Sequence, residues 1–187
     1  MHRFPRNETL LETFQWRIEQ SSDDIAFKFN GRETTYKEYD QKANRVANGI
    51  IAEGCSPNSR VAVLAKNSDM YAEILFGSLK SRTALVGINW RLAAPEVVFV
   101  VNDSESELLF VGPDFYELID SIKDEFTHVR QIIAIEDDHV SWQSYTSWRN
   151  SFEDNDPKLT GHADDDVIQL YTSGTTGHPK GVRLTNK

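Results

Sequence analysis

Little in this sequence serves cross-linking or metal binding. One cysteine among 187 residues, Cys55, leaves no internal disulfide and no cysteine-rich metal centre. The chain therefore fits a reducing compartment, and the thiol reads as a buried bystander. His2, His128, His139 and His162 are scattered without metal-ligand spacing and read as surface or hydrogen-bonded residues. No stretch approaches the roughly 18 apolar residues that a membrane span needs, and the first eight residues lack the apolar core of a secretory signal. Clustered Lys and Arg are missing as well. With 20 basic against 29 acidic residues the formal net charge is −9, which argues against a nucleic-acid surface. The expectation from these absences is a soluble, cytoplasmic protein without a transmembrane segment and without a nucleic-acid partner.

What is present suffices for one substantial core, with 39% hydrophobic and 11% aromatic residues. Residues 1–59 read as helix, hairpin and helix. Leu10, Leu11, Phe14, Trp16 and Ile18 mark the first helix, and Asn30-Gly31 between alternating runs is a two-residue hairpin signal. Thr35 and Glu38 have capping-box spacing, which starts a second helix with Tyr39, Ala43, Val46, Ala47 and Ile50 on one face and Gly54 at its end. Residues 60–135 alternate buried strands (60–64, 84–88, 108–111, 132–135) with helices, one capped by Ser68 or Asp69 and one opened by Pro95-Glu96. That spacing predicts right-handed crossovers and an α/β fold, a mostly parallel sheet with flanking helices. There are no internal repeats.

Residues 136–166 turn polar and acidic. Trp142, Tyr145, Trp148 and Phe152 read as anchors holding this connection on the sheet. Asp164-Asp165-Asp166 reads as a solvated loop in preference to a metal site, because three consecutive carboxylates cannot all converge.

The chemistry is concentrated in residues 167–187. Tyr171-Thr172-Ser173-Gly174-Thr175-Thr176-Gly177-His178-Pro179-Lys180-Gly181 lies between two strand-like runs and holds glycines, hydroxyls and one ammonium, uninterrupted by a carboxylate. Gly174, Gly177 and Gly181 permit close backbone approach, so that amide N–H groups can line an anion concavity. Thr172, Ser173, Thr175 and Thr176 can bond phosphate oxygens, and Lys180 adds a mobile positive charge. In the nucleoside-triphosphatase loop GxxxxGK[ST] the lysine follows a glycine and opens a helix. Here Lys180 follows Pro179 and precedes Gly181 and a strand, so the segment reads as strand, phosphate loop, strand.

This pattern resembles the phosphate-binding signature of the adenylate-forming (AMP-binding) enzymes. The likeness extends to Thr35-Tyr36-Lys37-Glu38-Tyr39, to Asn67-Ser68 with Phe76-Gly77-Ser78-Leu79-Lys80, and to Ile88-Asn89-Trp90-Arg91-Leu92 with Pro95-Glu96. The last of these is most like a fatty-acyl-CoA synthetase. Two departures stand out: Leu79-Lys80-Ser81-Arg82 replaces the usual Leu-Lys-Ala-Gly, which puts the packing at Arg82 in question, and Gly87 replaces a usual proline.

The resemblance implies part of the large N-terminal domain of an adenylate-forming enzyme. It implies activation of a carboxylic acid, a fatty acid in this branch, by Mg2+-ATP, followed by capture of the acyl-adenylate by CoA. Carried over by position, Thr172, Ser173, Gly174, Thr175, Thr176 and Lys180 are the nucleotide contacts and Thr172 a magnesium ligand, with no residue matching the catalytic lysine. The family's adenine and ribose motifs, acidic magnesium partner, hinge and catalytic lysine lie beyond the position equivalent to Lys187. The expectation is thus an N-terminal fragment, inactive alone, whose partner is the missing C-terminal part of the same enzyme. Residues before Arg60 are expected to lean on that part and to favour self-association without it. Two alternatives stay open: adenylation of an amino or aryl acid for a carrier protein, against which Asn89-Trp90-Arg91-Leu92 weighs, and a truncated nucleotide-binding or interaction module without turnover.

Overall fold

A computed structural model describes residues 9–136, 138–172 and 179–187. It begins with a helix α1 (Leu10–Ser21) opened by a Thr9–Glu12 capping box. A hairpin follows, β1 (Ile25–Phe29) and β2 (Arg32–Thr35). Asn30 and Gly31 both take positive φ, 46° and 77°, as a tight hairpin turn demands. The predicted Thr35–Glu38 box starts α2 (Tyr36–Ala52), and Gly54, at φ 83°, follows its end.

Seven further strands form one sheet: β3 (Arg60–Leu64), β4 (Ala84–Gly87), β5 (Ser106–Val111), β6 (Gln131–Ala134), β7 (Gln143–Ser144), β8 (Asp166–Thr172) and β9 (Lys180–Thr185). Their order is β7-β6-β5-β3-β4-β8-β9, parallel throughout except for the last, antiparallel pair. The crossovers are α3 (Asp69–Lys80), capped by Ser68, then α4 (Ala94–Asp103) and α5 (Tyr116–Ile122); α6 (Tyr145–Asn150) follows β7.

Alternation along the strands divides the core. Val61, Val63, Leu85, Leu108, Phe110 and Ile133 pack against α2, α3 and α6, while Ala62, Leu64, Val86, Leu109 and Val111 pack against α4 and α5. Both faces are covered, which is why these strands read as continuous apolar runs.

Three expectations change. Residues before Arg60 find support within the chain itself: Tyr39, Ala43, Val46, Ala47 and Ile50 of α2 are buried, and Tyr39 Oη donates to the Ala72 carbonyl at 2.9 Å. The Leu10 amide also reaches the Asn186 carbonyl at 3.1 Å, joining the two ends of the described chain. α2 and α3 approach so closely that a Cβ on Gly77 would lie 2.3 Å from Val46 Cγ1, so this glycine is a packing requirement.

Second, residues 136–166 carry β7 and α6, which periodicity does not reveal, because two strand residues and six helical ones are too short to show a period. The anchor reading of the aromatics holds for Tyr145 and Trp148, which are completely enclosed. Tyr145 Oη donates to Glu73 at 2.9 Å, and Glu73, itself buried, is also held by Arg149 at 2.6 Å and Lys42 at 3.2 Å. Burial first, and then the Glu73 charge, pushes the Tyr145 hydroxyl well above its ordinary range.

Third, Asp165 and Asp166 are ion-paired, not solvated. Asp165 accepts two bonds from Arg82, both at 2.9 Å, and Asp166 meets Arg60 at 2.8 Å. The Arg82 hydrogen bonds hold the Asp165 carboxyl below its ordinary range. Arg82 sits at a left-handed φ of 59°, so the departure from glycine is real strain offset by a two-pronged ion pair. Cys55 is buried as expected, and burial pushes its thiol up to about 11.

Candidate functional site

The ladder of β8 and β9 ends at the pair Thr172↔Lys180, so the two strands deliver both ends of the 173–178 segment at one point. The two strands are those expected from the alternation of residues 167–171 and 182–185; the loop expected between them falls outside the described residues. Thr172 and Lys180 face each other across the last rung, and Lys180 has no carboxylate partner among the described residues. The other expected phosphate contacts, Ser173, Gly174, Thr175 and Thr176, lie outside the described residues, as do Gly177 and His178.

Of the three glycines given a part in the anion concavity, Gly181 alone is among the described residues. It lies within β9, directly opposite Tyr171, and a Cβ there would stand 2.7 Å from Gln169 Nε2 and 3.1 Å from Tyr171 Cζ. Its missing side chain makes room for the tyrosine ring. Tyr171 Oη donates to Asp103 Oδ2 at 2.6 Å and accepts from Gln169 Nε2 at 2.9 Å. Gln169 in turn accepts from Arg60 Nε at 2.9 Å. Burial, and then Asp103, raises the Tyr171 hydroxyl above its ordinary range, so it stays protonated and a donor. Sequence reasoning missed this chain of bonds. The shared parity of Gln169 and Tyr171 was a usable signal, whereas nothing in the sequence points to Asp103.

Beside Thr172 is a cleft of about 170 Å³ at the carboxyl ends of β4 and β8, with Ile88, Asn89, Leu92, Glu96, Thr172 and Pro179 among its walls. The tertiary structure thus brings the 88–92 segment, separated from the loop by some eighty residues of chain, to the same place. Arg91 stacks over the half-exposed Trp90, its guanidinium carbon 4.2 Å from the ring centroid. Two larger hollows, about 400 and 430 Å³, lie away from this point, beside α1 and at the amino ends of the strands. Among the described residues no three His, Cys, Asp or Glu side chains gather to hold a metal, and no helix is long and apolar enough to cross a membrane.

Comparison with known proteins gives these positions a context. The family model described as AMP-binding enzyme matches residues 14–187. A fatty acid–[acyl-carrier-protein] ligase, ScoC of Streptomyces coeruleorubidus, is 39% identical over 98% of this chain and 34% of its own length. The long-chain-fatty-acid–CoA ligase FadD13 of Mycobacterium tuberculosis is 35% identical over 82% of this chain and 30% of its own. Among solved structures, the anthranilate CoA ligase AuaEII in complex with anthranoyl-AMP superposes with a TM-score of 0.89 at 25% identity, over 99% of this chain and 36% of that one. The chain spans about a third of the length of each of these relatives.

Proposed function

The chain belongs to the AMP-binding enzymes, and from that premise we propose that it supplies the phosphate-binding part of a ligase that activates a fatty acid with ATP and passes the acyl group to the thiol of CoA. One observation carries this reading: the glycine- and hydroxyl-rich segment is strung between β8 and β9 with Thr172 and Lys180 opposed at its base. The fatty-acid ligases at 39% and 35% identity support the substrate class. In this proposal the carboxylate attacks the α-phosphorus and pyrophosphate departs. Lys180, with the hydroxyls of Thr172, Ser173, Thr175 and Thr176 and the backbone at Gly174, stabilises the charge that collects on the β- and γ-phosphates. Such donors accelerate the step only in so far as they hold the leaving group better in the transition state than in bound ATP.

Magnesium, when bound, neutralises phosphate charge. The ligand this chain offers is the Thr172 hydroxyl at the end of β8, a hard oxygen donor of the kind the ion takes, alongside phosphate and water oxygens. A second reading concerns the acceptor. The 39% identity to a ligase of a carrier protein favours a protein-borne thiol in place of free CoA.

The test is carboxylate-dependent exchange of labelled pyrophosphate into ATP by the whole gene product, with medium- and long-chain fatty acids and benzoate in parallel. CoA or a carrier protein is then supplied as acceptor. Fatty-acid-dependent exchange supports the proposal; no exchange with any acid, in a folded protein, rejects it.

A further inference from the structure

Tyr171 precedes the phosphate segment and lies outside its hydroxyl set, yet it is tied on several sides. Its ring lies over Gly181, its partner across the ladder, in the arrangement by which an aromatic covers a strand glycine. Its hydroxyl reaches the C-terminal end of α4 through Asp103 at 2.6 Å. The Gln169 amide, at 2.9 Å from that hydroxyl, links it to Arg60 of β3, and Arg60 is paired with Asp166 at 2.8 Å. Asp166 also receives Arg183 of β9 at 3.3 Å. One connected set of bonds therefore joins β3, α4, β8 and β9, running from Tyr171, next to Thr172, back to Asp166 at the amino end of β8. β9 itself is the exposed edge of the sheet, with no outer neighbour among the described residues. An edge strand held on one side only is free to slip or fray, and slippage by one residue would turn Lys180 to the opposite face.

We propose that Tyr171 is a positioning residue: through its ring on Gly181 and its hydroxyl on Asp103 it locks the β8–β9 register that presents Thr172 and Lys180 to the phosphates. The role in catalysis rests on the function proposed above, whereas the lock itself does not. Gly181 takes part as the gap the ring fills, and Asp103 as the post to which β8 is tied.

The chain is tested in five forms: parent, Tyr171→Phe, Asp103→Ala, the double variant of these two, and Asp103→Asn. Amide hydrogen exchange at residues 171, 172, 180 and 181 is read by NMR, with β3 and β5 amides and urea unfolding as the global reference. Affinity for magnesium pyrophosphate is measured by calorimetry. Tyr171→Phe keeps the ring and removes the charge-assisted bond to Asp103 together with the weaker one from Gln169, so exchange at the four amides should rise about tenfold or more over any global change. Pyrophosphate affinity should fall by at least about fivefold, a partial share of the same loss. Asp103→Ala should give most of the same rise, the double variant should be no worse than Tyr171→Phe because the shared bond is being removed twice, and Asp103→Asn, which keeps an acceptor, should restore most of the protection. Unchanged local exchange in Tyr171→Phe, or losses in Tyr171→Phe and Asp103→Ala that add, overturns the proposal. If the four amides respond as stated while the whole gene product, assayed in parallel, shows no pyrophosphate exchange with any acid, the lock is supported and the nucleotide reading fails.

Discussion

Replacing Arg82 by glycine restores the residue usual at this helix end in the family, and the structure says it should weaken this protein. Two effects oppose each other. Arg82 stands at φ 59°, and a left-handed conformation costs a residue with a Cβ roughly 1–2 kcal/mol, which glycine relieves. Against that, Arg82 gives Asp165 two hydrogen bonds at 2.9 Å, with side-chain exposures of only 20% and 10%. Breaking one partner of a buried pair costs roughly 3–5 kcal/mol, and a pair this close to the surface sits at or below the low end. The net expectation for Arg82→Gly is a loss of about 1–2 kcal/mol, or about 2–8 °C in Tm for a chain of this size. Arg82→Ala loses the pair and keeps the strain, so it should fall below Arg82→Gly by about 1 kcal/mol. The pH dependence supplies a second check. Asp165 is held below its ordinary pKa by Arg82, so its contribution is fully present above the unfolded value of about 3.9 and is lost as pH falls through the folded one. The gap between parent and Arg82→Gly should thus be widest near neutrality and shrink below about pH 4. Urea unfolding from pH 7 to pH 3 measures both. An Arg82→Gly protein as stable as the parent at pH 7, or a gap independent of pH, refutes the reasoning.

Lys180→Ala in the whole gene product should slow pyrophosphate release by about 10–1,000-fold, as loss of one donor to a developing anion does, while Thr185→Ala at the far end of β9 costs much less; stopped-flow release on both checks this. Gly77→Ala should destabilise by about 1–3 kcal/mol or more, because the new methyl meets Val46 at 2.3 Å, and Val46→Ala in the same chain should recover part of it in urea unfolding. Glu73→Ala should cost about 3–5 kcal/mol by leaving Arg149 buried without its carboxylate, with Glu73→Gln milder because the amide oxygen still accepts from Tyr145 or Arg149. Leu170, Val182 and Leu184 are 43%, 45% and 47% exposed at the β8–β9 edge, so the chain should self-associate there, and Val182→Glu should abolish it; sedimentation equilibrium showing a monomer at every concentration contradicts this.

Local rules written in a few adjacent residues determined much of this protein. The Thr35–Glu38 box, the Asn30-Gly31 turn, the runs at 60–64 and 108–111, and the strands on either side of the phosphate segment each express an interaction between residues near in sequence, and all appear in the structure. The proposed site rests on the sequence for a related reason: an anion cradle needs its glycines, hydroxyls and ammonium on one short stretch. Tertiary structure decided whatever depends on residues far apart. It gave Asp165 to Arg82 and Glu73 to Arg149, turning an acidic stretch with no visible period into an integral layer of the fold. It also set Gly181 against Tyr171, and brought Asp103, at the far end of α4, to the Tyr171 hydroxyl. A charged side chain in sequence shows only its sign. Which opposite charge removes it from water is set by the packing of strands and helices, and that information lies in no single segment.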